Sequence, residues 1–281
     1  MNLKALAQHF SVQLKNRYEE QEISSIFSIV VEELSGWSRS QQVWKKEEEI
    51  PDAELVAYLQ VLQSLSDGQP VQYVLRKALF FGLDFIVNPS VLIPRPETEE
   101  LVDWVLESCR TLEGPEVIDI GTGSGCIAIS LAKNLPQARV SALDVSSAAL
   151  EVARENAVLN EAALTFIESD IRTYDNPGKF DIIVSNPPYI TLHEKAEMHE
   201  HVLSHEPHLA LFVPNESPLV FYEAIADFAL RSLKAGGYLF FEINEHLGAE
   251  MIEMLRFKSF ININLRKDMQ GKDRMISCSL G

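Results

Sequence analysis

Two short stretches hold residue types that could do chemistry. In Asp119-Ile120-Gly121-Thr122-Gly123-Ser124-Gly125, three glycines alternate with small residues directly between an apolar run and a helical one. Glycine lets the backbone turn tightly and approach a ligand, and the start of the next helix offers free N–H groups. Asp144 closes the following apolar run about twenty residues on, placed to accept hydrogen bonds from ribose hydroxyls. Together these favour a nucleoside-bearing cofactor over a bare structural turn. The spacing is G-x-G-x-G, whereas dinucleotide sites use G-x-G-x-x-G. Asp119, two positions before the first glycine, suits the ammonium of S-adenosyl-L-methionine, directly or through water. The pattern therefore leans toward that methyl donor.

The second stretch is Ser185-Asn186-Pro187-Pro188-Tyr189, at the end of another apolar run. A flat NH₂ group offers two donors and a π face. The Asn186 side-chain oxygen and a proline carbonyl can accept both donors, and the Tyr189 ring can stack on the plane. Consecutive prolines stiffen the turn and leave their carbonyls free. In isolation the same residues would read as a Pro-rich surface turn. Beside the glycine stretch, they predict methyl transfer to a planar amide or amine nitrogen.

Such residues must be set at the carboxyl ends of neighbouring strands, and the sequence predicts the required scaffold. From Glu116 onward, short apolar runs at Val117–Ile120, Val140–Leu143, Phe180–Ser185 and Tyr238–Ile243 read as strands buried on both faces. Helices are expected between them at Ser124–Lys133, Ser147–Leu159 and Pro218–Leu233. The last has Ser217 as cap and Gly236-Gly237 after its end. This is the α/β, doubly wound class I methyltransferase (Rossmann-like) arrangement, with ligands at the strand carboxyl ends. Ahead of it, residues 1–67 read as a small helical bundle. Its faces carry Leu3, Leu6, Ala7, Phe10 and Leu14, then Ile23, Ile26, Phe27, Val30 and Leu34, then Leu55, Leu59 and Leu62. Residues 68–96 form a linker with a hairpin over Leu79–Val87. Pro94-Arg95-Pro96 leads into a helix from Glu97 to about Cys109. The catalytic domain is expected over 97–281.

Composition narrows the function. The chain has 281 residues, 46% hydrophobic and 23% charged, as in ordinary globular proteins. No apolar run approaches the roughly 18 residues of a membrane span, and the N-terminus lacks a signal-peptide pattern, so a cytoplasmic location is expected. Cys109, Cys126 and Cys278 lack CxxC spacing and read as small buried hydrophobes. His193, His199, His201, His205 and His208 form a loose group without metal-ligand spacing, so no metal is expected. A formal net charge of −17 argues against a protein that grips nucleic acid by its phosphates.

The chain resembles the HemK/PrmC family of glutamine methyltransferases that modify peptide chain release factors. The resemblance rests on Leu92-Ile93-Pro94-Arg95-Pro96-Glu97-Thr98-Glu99, the glycine stretch, Asp144, Asn186-Pro187-Pro188-Tyr189, Glu206-Pro207 with Ala210-Leu211, and Lys267-Asp268, Gly271 and Asp273-Arg274. It implies a helical N-terminal domain that contacts the substrate protein. It also implies cofactor contacts from residues 121–125, Asp144, Asp170, Ile171 and Asn186, with 186–189 holding the glutamine of a Gly-Gly-Gln loop. Four residues depart from the pattern: Arg76 and Asn244 replace glycines, Leu247 a glutamine, and Ile171 an aromatic residue. Arg95, Glu97 and Thr98 either shape a substrate entrance or, for Glu97 and Thr98, support a helix start. The residues alone leave open a ribosomal-protein glutamine methyltransferase and a DNA adenine methyltransferase. A nicotinamide oxidoreductase would account for the glycines but not for Asn186–Tyr189. Oligomeric state is not legible.

Overall fold

The structure is a computed structural model that describes residues 1–175, 178–197 and 200–281. It divides into two compact units, Met1–Lys77 with Glu200–His205, and Ala78–His199 with Glu206–Gly281.

The first unit contains α1 (Leu3–Leu14), α2 (Glu20–Ser35), α3 (Arg39–Trp44), α4 (Asp52–Ser66) and α5 (Val71–Leu75), with the short helix Glu200–His205. Its core is built from residues three and four apart: Leu3, Leu6, Phe10 and Leu14 of α1, and Ile23, Ile26, Val30 and Val31 of α2. Two expected core positions are corrected: Leu34 and Leu59 are exposed, and α4 buries Tyr58, Val61 and Leu65 beside the expected Leu62. Asn2 caps α1 by accepting the Ala5 N–H, and Ser38 forms a capping box with Gln41. Gly36 ends α2 in the left-handed region at φ 70°. Arg76 ends α5 there too, at φ 54°, where an L side chain crowds its own carbonyl.

The second unit opens with the hairpin β1 (Ala78–Phe80) and β2 (Leu83–Phe85). Its turn, Phe81-Gly82, has positive φ at both positions, matching the twist of the strands. The Phe81 N–H donates to Glu99 Oε1 at 2.8 Å, tying the hairpin to α6 (Pro96–Cys109). There follow β3 (Glu116–Ile120), α7 (Cys126–Asn134), β4 (Arg139–Asp144), α8 (Ser147–Leu159), β5 (Leu164–Glu168) and β6 (Phe180–Ser185). The chain ends with α9 (Val220–Ser232), β7 (Leu233–Glu242), α10 (Gly248–Phe257), β8 (Ile261–Lys267) and β9 (Asp273–Ser279). Seven of the strands form one sheet, in the order β8-β9-β7-β6-β3-β4-β5, and the β1-β2 hairpin stands apart from it. All pairs from β7 to β5 are parallel, and β9 is antiparallel to both neighbours.

Each face of the sheet is covered. Phe80, Phe85 and the inward residues of α6 and α7 pack on one side, where Trp104 meets Phe240 edge-on at 5.4 Å. Tyr222, Phe228, Met251 and Leu255 of α9 and α10 pack on the other. Fully burying side chains of this size contributes about 1.5–3 kcal/mol each, so the two layers hold the strand ends firmly.

One local expectation is corrected. Ser217 does not cap α9: Leu219 does, and the Ser217 carbonyl accepts the Val220 N–H one turn earlier. Gly236-Gly237 lies inside an irregularity of β7, between the Phe180–Leu233 and Ile182–Tyr238 pairs. A Cβ at Gly237 would stand 3.0 Å from the Asp181 and Lys234 carbonyl oxygens, so a side chain there would crowd the backbone that glycine lets approach closely.

Candidate active site

The chain runs β3, β4, β5 outward and then returns to β6 on the other side of β3, which opens a crevice at the carboxyl ends of β3 and β6. A cavity of about 450 Å³ lies there. Gly121, Thr122, Gly123 and Ser124 line it, with Asp144, Asp170, Ile171, Asn186, Pro187 and Pro188.

The glycine turn is built as its composition requires. Gly121, Gly123 and Gly125 all have positive φ, between 55° and 81°. A Cβ on Gly125 would crowd Ile129 and Ala153 at 3.1 and 3.2 Å, so that glycine seats α7 against α8. At Gly121 and Gly123 a Cβ would meet nothing within 4 Å, which leaves the turn open on its outer side. The Gly121 and Thr122 N–H groups both donate to the Leu143 carbonyl, at 2.8 and 2.9 Å, binding the turn to the end of β4. Buried Asn156 completes the frame. Its Nδ2 donates to the Ser124 and Ile86 carbonyls, each at 2.9 Å, and its Oδ1 accepts the Ile86 N–H at 2.6 Å.

Asp144 stands at the cavity wall with its oxygens held by the Gly123 and Ser146 N–H groups, both at 2.9 Å. Burial raises its pKa, and these backbone donors oppose the rise. Each oxygen keeps a lone pair for a further donor. Asp119 is placed differently from the sequence expectation. It is fully buried beneath the turn and does not line the cavity. Its Oδ2 accepts the Thr122 hydroxyl at 2.6 Å, and its Oδ1 has no hydrogen-bond partner. Burial pushes its pKa from 3.8 to about 7, although the Thr122 hydroxyl and the Ala128 N–H pull the other way.

At the next corner Arg172 clamps Asp170, its Nε standing 3.0 Å from both carboxylate oxygens. The guanidinium holds that carboxyl below its ordinary value. Ile171 presents an aliphatic surface to the cavity. Phe221 of α9 lines the same cavity, and the Arg172 guanidinium lies 5.9 Å from its ring centre.

The third wall is Asn186-Pro187-Pro188. Asn186 Nδ2 donates to Thr98 Oγ1 at 3.3 Å, and the Thr98 hydroxyl donates to Glu242 Oε2 at 2.6 Å. The Tyr189 hydroxyl donates to Glu242 Oε1 at 3.1 Å. Tyr189 is half-buried against the core and is not among the lining residues, because Glu242 draws its hydroxyl inward. Burial, then the Glu242 charge, raises the Tyr189 pKa, so the phenol stays protonated. Glu242 is also raised by burial, against the Thr98 hydroxyl, the Arg274 charge and the Tyr189 hydroxyl. The departure Asn244 is a support: its Nδ2 donates to Glu194 Oε1 at 2.8 Å and, more weakly, to the Tyr189 carbonyl at 3.4 Å. Arg95 lines the cavity and pairs with Glu206 at 2.6 Å, whose carboxylate is sealed from solvent. Sequence reasoning missed Asn156, Arg172 and Phe221, and gave Glu242 no role.

His208 packs edge-on to Phe212 at 5.2 Å, the His193 N–H donates to Asn215, and His199 lies outside the described residues. No group of metal-binding side chains occurs among the described residues, and no described helix is long and apolar enough to cross a membrane.

The chain can now be set beside known proteins. Residues 101–209 match the methyltransferase small domain, and residues 5–75 match the PrmC N-terminal domain. A release factor glutamine methyltransferase of Flavobacterium psychrophilum is 48% identical over 280 residues, 98% of both chains. The Streptococcus pneumoniae protein of that name is 39% identical, again over 98% of both, and the Bacillus subtilis one 39% over 88% of this chain and 87% of its own. Among solved structures, a methyltransferase from Pyrococcus furiosus has a TM-score of 0.53 at 20% identity, covering 72% of this chain and 90% of that one. A 16S rRNA methyltransferase of T. thermophilus, solved with AdoMet and guanosine, has a TM-score of 0.53 at 19% identity, covering 73% and 50%. These likenesses establish the fold.

Proposed function

The chain belongs to the release factor glutamine methyltransferase family, and from that premise we propose which of its residues do the work. It is an S-adenosyl-L-methionine-dependent enzyme that methylates the side-chain amide nitrogen of a release-factor glutamine. We assign that glutamine to the Gly-Gly-Gln loop, since flanking glycines let a loop extend one side chain into a narrow cleft.

The observation that carries the assignment is the shared wall: the glycine turn, Asp144 and Asn186-Pro187-Pro188 line one cavity. The residues present fit the methyl donor. Asp144 has acceptor capacity for two ribose hydroxyls, and the turn is open above Gly121 and Gly123. Asp119 Oδ1 is a buried oxygen that a nearby ammonium would balance through the turn. S-adenosyl-L-methionine supplies a methyl group already activated by its sulfonium.

The chain's own residues then have to orient a poor nucleophile, since an amide lone pair is delocalised into its carbonyl. In this reading Asn186 Oδ1 and the Pro187 carbonyl accept the two amide protons. Both bonds strengthen as positive charge grows on nitrogen, so they favour the transition state over the ground state. Pro187 and Pro188 keep the acceptors fixed, and Tyr189, set back from the cavity, anchors the end of the motif through its hydroxyl on Glu242. Holding the reacting atoms about 3–3.5 Å apart contributes much of the rate. The amide proton leaves after transfer and needs no dedicated base. The helical unit at the N-terminus binds the rest of the release factor, adding affinity far from the reacting atom. A formal charge of −17 argues against direct nucleic-acid binding, and we place the enzyme in the cytoplasm with its substrate.

Incubation with labelled methyl donor and intact release factor, followed by mass spectrometry, tests the reading. One methyl group on the loop glutamine is expected. Preferential labelling of a ribosomal protein or of DNA adenine would refute the substrate.

A further inference from the structure

We infer that Glu242 and Thr98 set the polarity of the amide clamp, turning the acceptor end of Asn186 toward the substrate. The inference rests on the reading of Asn186 as an acceptor for the glutamine amide.

An asparagine amide can sit either way round at almost no steric cost, because its oxygen and nitrogen differ chiefly in hydrogen-bonding sense. A clamp that must accept needs Oδ1 facing the cavity, and shape alone does not enforce this. The network behind Asn186 does. Glu242 lies at the end of β7, buried, and does not line the cavity. Its Oε2 receives the Thr98 hydroxyl at 2.6 Å. A hydroxyl has one proton, and Thr98 gives it to the carboxylate. Only lone pairs remain on Oγ1 for Asn186, so the NH₂ end must face Thr98, as it does at 3.3 Å. Oδ1 is thereby turned away from Thr98. Direction passes outward from acceptor-only Glu242, through Thr98, to Asn186.

The same carboxylate holds the other end of the motif, since its Oε1 accepts from Tyr189 at 3.1 Å. Glu242 is itself fixed. Its carbonyl accepts the Tyr222 hydroxyl at 3.2 Å, and the Arg274 charge favours its ionised form. Arg274 is oriented in turn by Asp268 at 3.1 Å. Burying a carboxylate is costly, and an apolar residue would serve packing better. Its two side-chain bonds both run toward Asn186–Tyr189, so its contribution is to placement. Glu242 and Thr98 are positioning residues.

The test is steady-state kinetics with intact release factor, with cofactor affinity and melting temperature measured beside it. In Glu242→Gln the new amide can donate to Thr98, which frees the hydroxyl proton to point at Asn186 and removes the bias. We expect kcat to fall about 100-fold or more, in the range seen when one transition-state hydrogen bond is lost, with cofactor affinity held within about twofold. Thr98→Val keeps the shape but lacks the hydroxyl and should fall similarly, and Thr98→Ser should recover most of the loss. The double variant Thr98→Val/Glu242→Gln should be no worse than either single change, because both break one relay. Losses that multiply, or a folded Glu242→Gln or Thr98→Val enzyme within about threefold of the parent kcat, would overturn the inference. If Glu242→Gln fails to fold, the contrast between Thr98→Val and Thr98→Ser decides: equal losses refute the relay. Asn186→Ala separates the two readings. Retained activity there removes the clamp itself, whereas an inactive Asn186→Ala beside active relay variants removes only the relay.

Discussion

Asp119 makes stability and pH oppose each other in a way that one substitution can expose. Its carboxyl is fully buried, and burial lifts its pKa from 3.8 to about 7. Below pH 3.8 the group is protonated in both folded and unfolded chains and contributes no pH dependence. Between those values the folded chain holds the proton more tightly, so stability falls as pH rises; above about 7 the loss is complete. At about 1.4 kcal/mol per pH unit, the total is on the order of 4 kcal/mol. Asp119→Asn removes the charge and keeps an acceptor for the Thr122 hydroxyl. Its buried NH₂ adds a constant cost of about 1–3 kcal/mol that does not depend on pH. Urea unfolding of both proteins from pH 5 to pH 8.5 checks this, because other carboxyls cancel in the difference. The variant should gain on the parent by about 2–3 kcal/mol across that range. Adding S-adenosyl-L-methionine at pH 8 should stabilise the parent more than the variant, since the ligand's ammonium offsets the Asp119 charge. Unfolding curves that stay parallel with pH would refute the burial argument, and equal ligand shifts would refute the electrostatic link through the turn.

Three further outcomes follow from the geometry. Asp144→Ala should weaken cofactor binding by about 1–3 kcal/mol, the range for bonds to a charged group, and calorimetry showing unchanged affinity would contradict its ribose role. Phe221 offers the aromatic surface that Ile171 lacks in the same cavity, so Phe221→Ala should cost about 1 kcal/mol in cofactor affinity, whereas Ile171→Phe should not lower it. At Arg76, with φ 54°, Arg76→Gly should be more stable to urea than Arg76→Ala by about 1 kcal/mol; both remove the side chain, so the difference isolates the backbone.

How much of this was legible in the sequence depended on how far apart the partners lie. The glycine turn and Asn186–Tyr189 could be read because each is a local pattern whose physics is complete within a few residues. Asp144 could be read because the spacing of the strand–helix–strand unit places it. The Thr98–Glu242 bond spans 144 positions, and no local signal announces it. Phe221 and Asn156 look like ordinary helix residues until the fold brings them to the site. Helix faces were read well where the apolar stripe is narrow, as in α1. They failed at Leu34, which lies in the last turn of α2, and at Leu59, where α4 carries apolar residues on more than one face and packing alone chooses. Asp119 lies deeper than its place beside the turn suggests, because sequence shows which residue precedes a turn but not which side of the sheet end its carboxylate enters.

The three hydrogen bonds between Asn156 and the backbone around Ile86 and Ser124 bear on where this enzyme can be cut. A fragment beginning at residue 97 would keep every strand of the large sheet and every residue of the cavity's glycine turn. It would nonetheless strip Asn156 of its Ile86 partner, remove Phe80 and Phe85 from the core face beneath α6, and leave Asn160 without the Asp84 carbonyl to which it donates at 2.9 Å. A fragment that keeps these contacts has to include the hairpin from Ala78 onward. The hairpin belongs to the second unit and underpins the frame of its glycine turn.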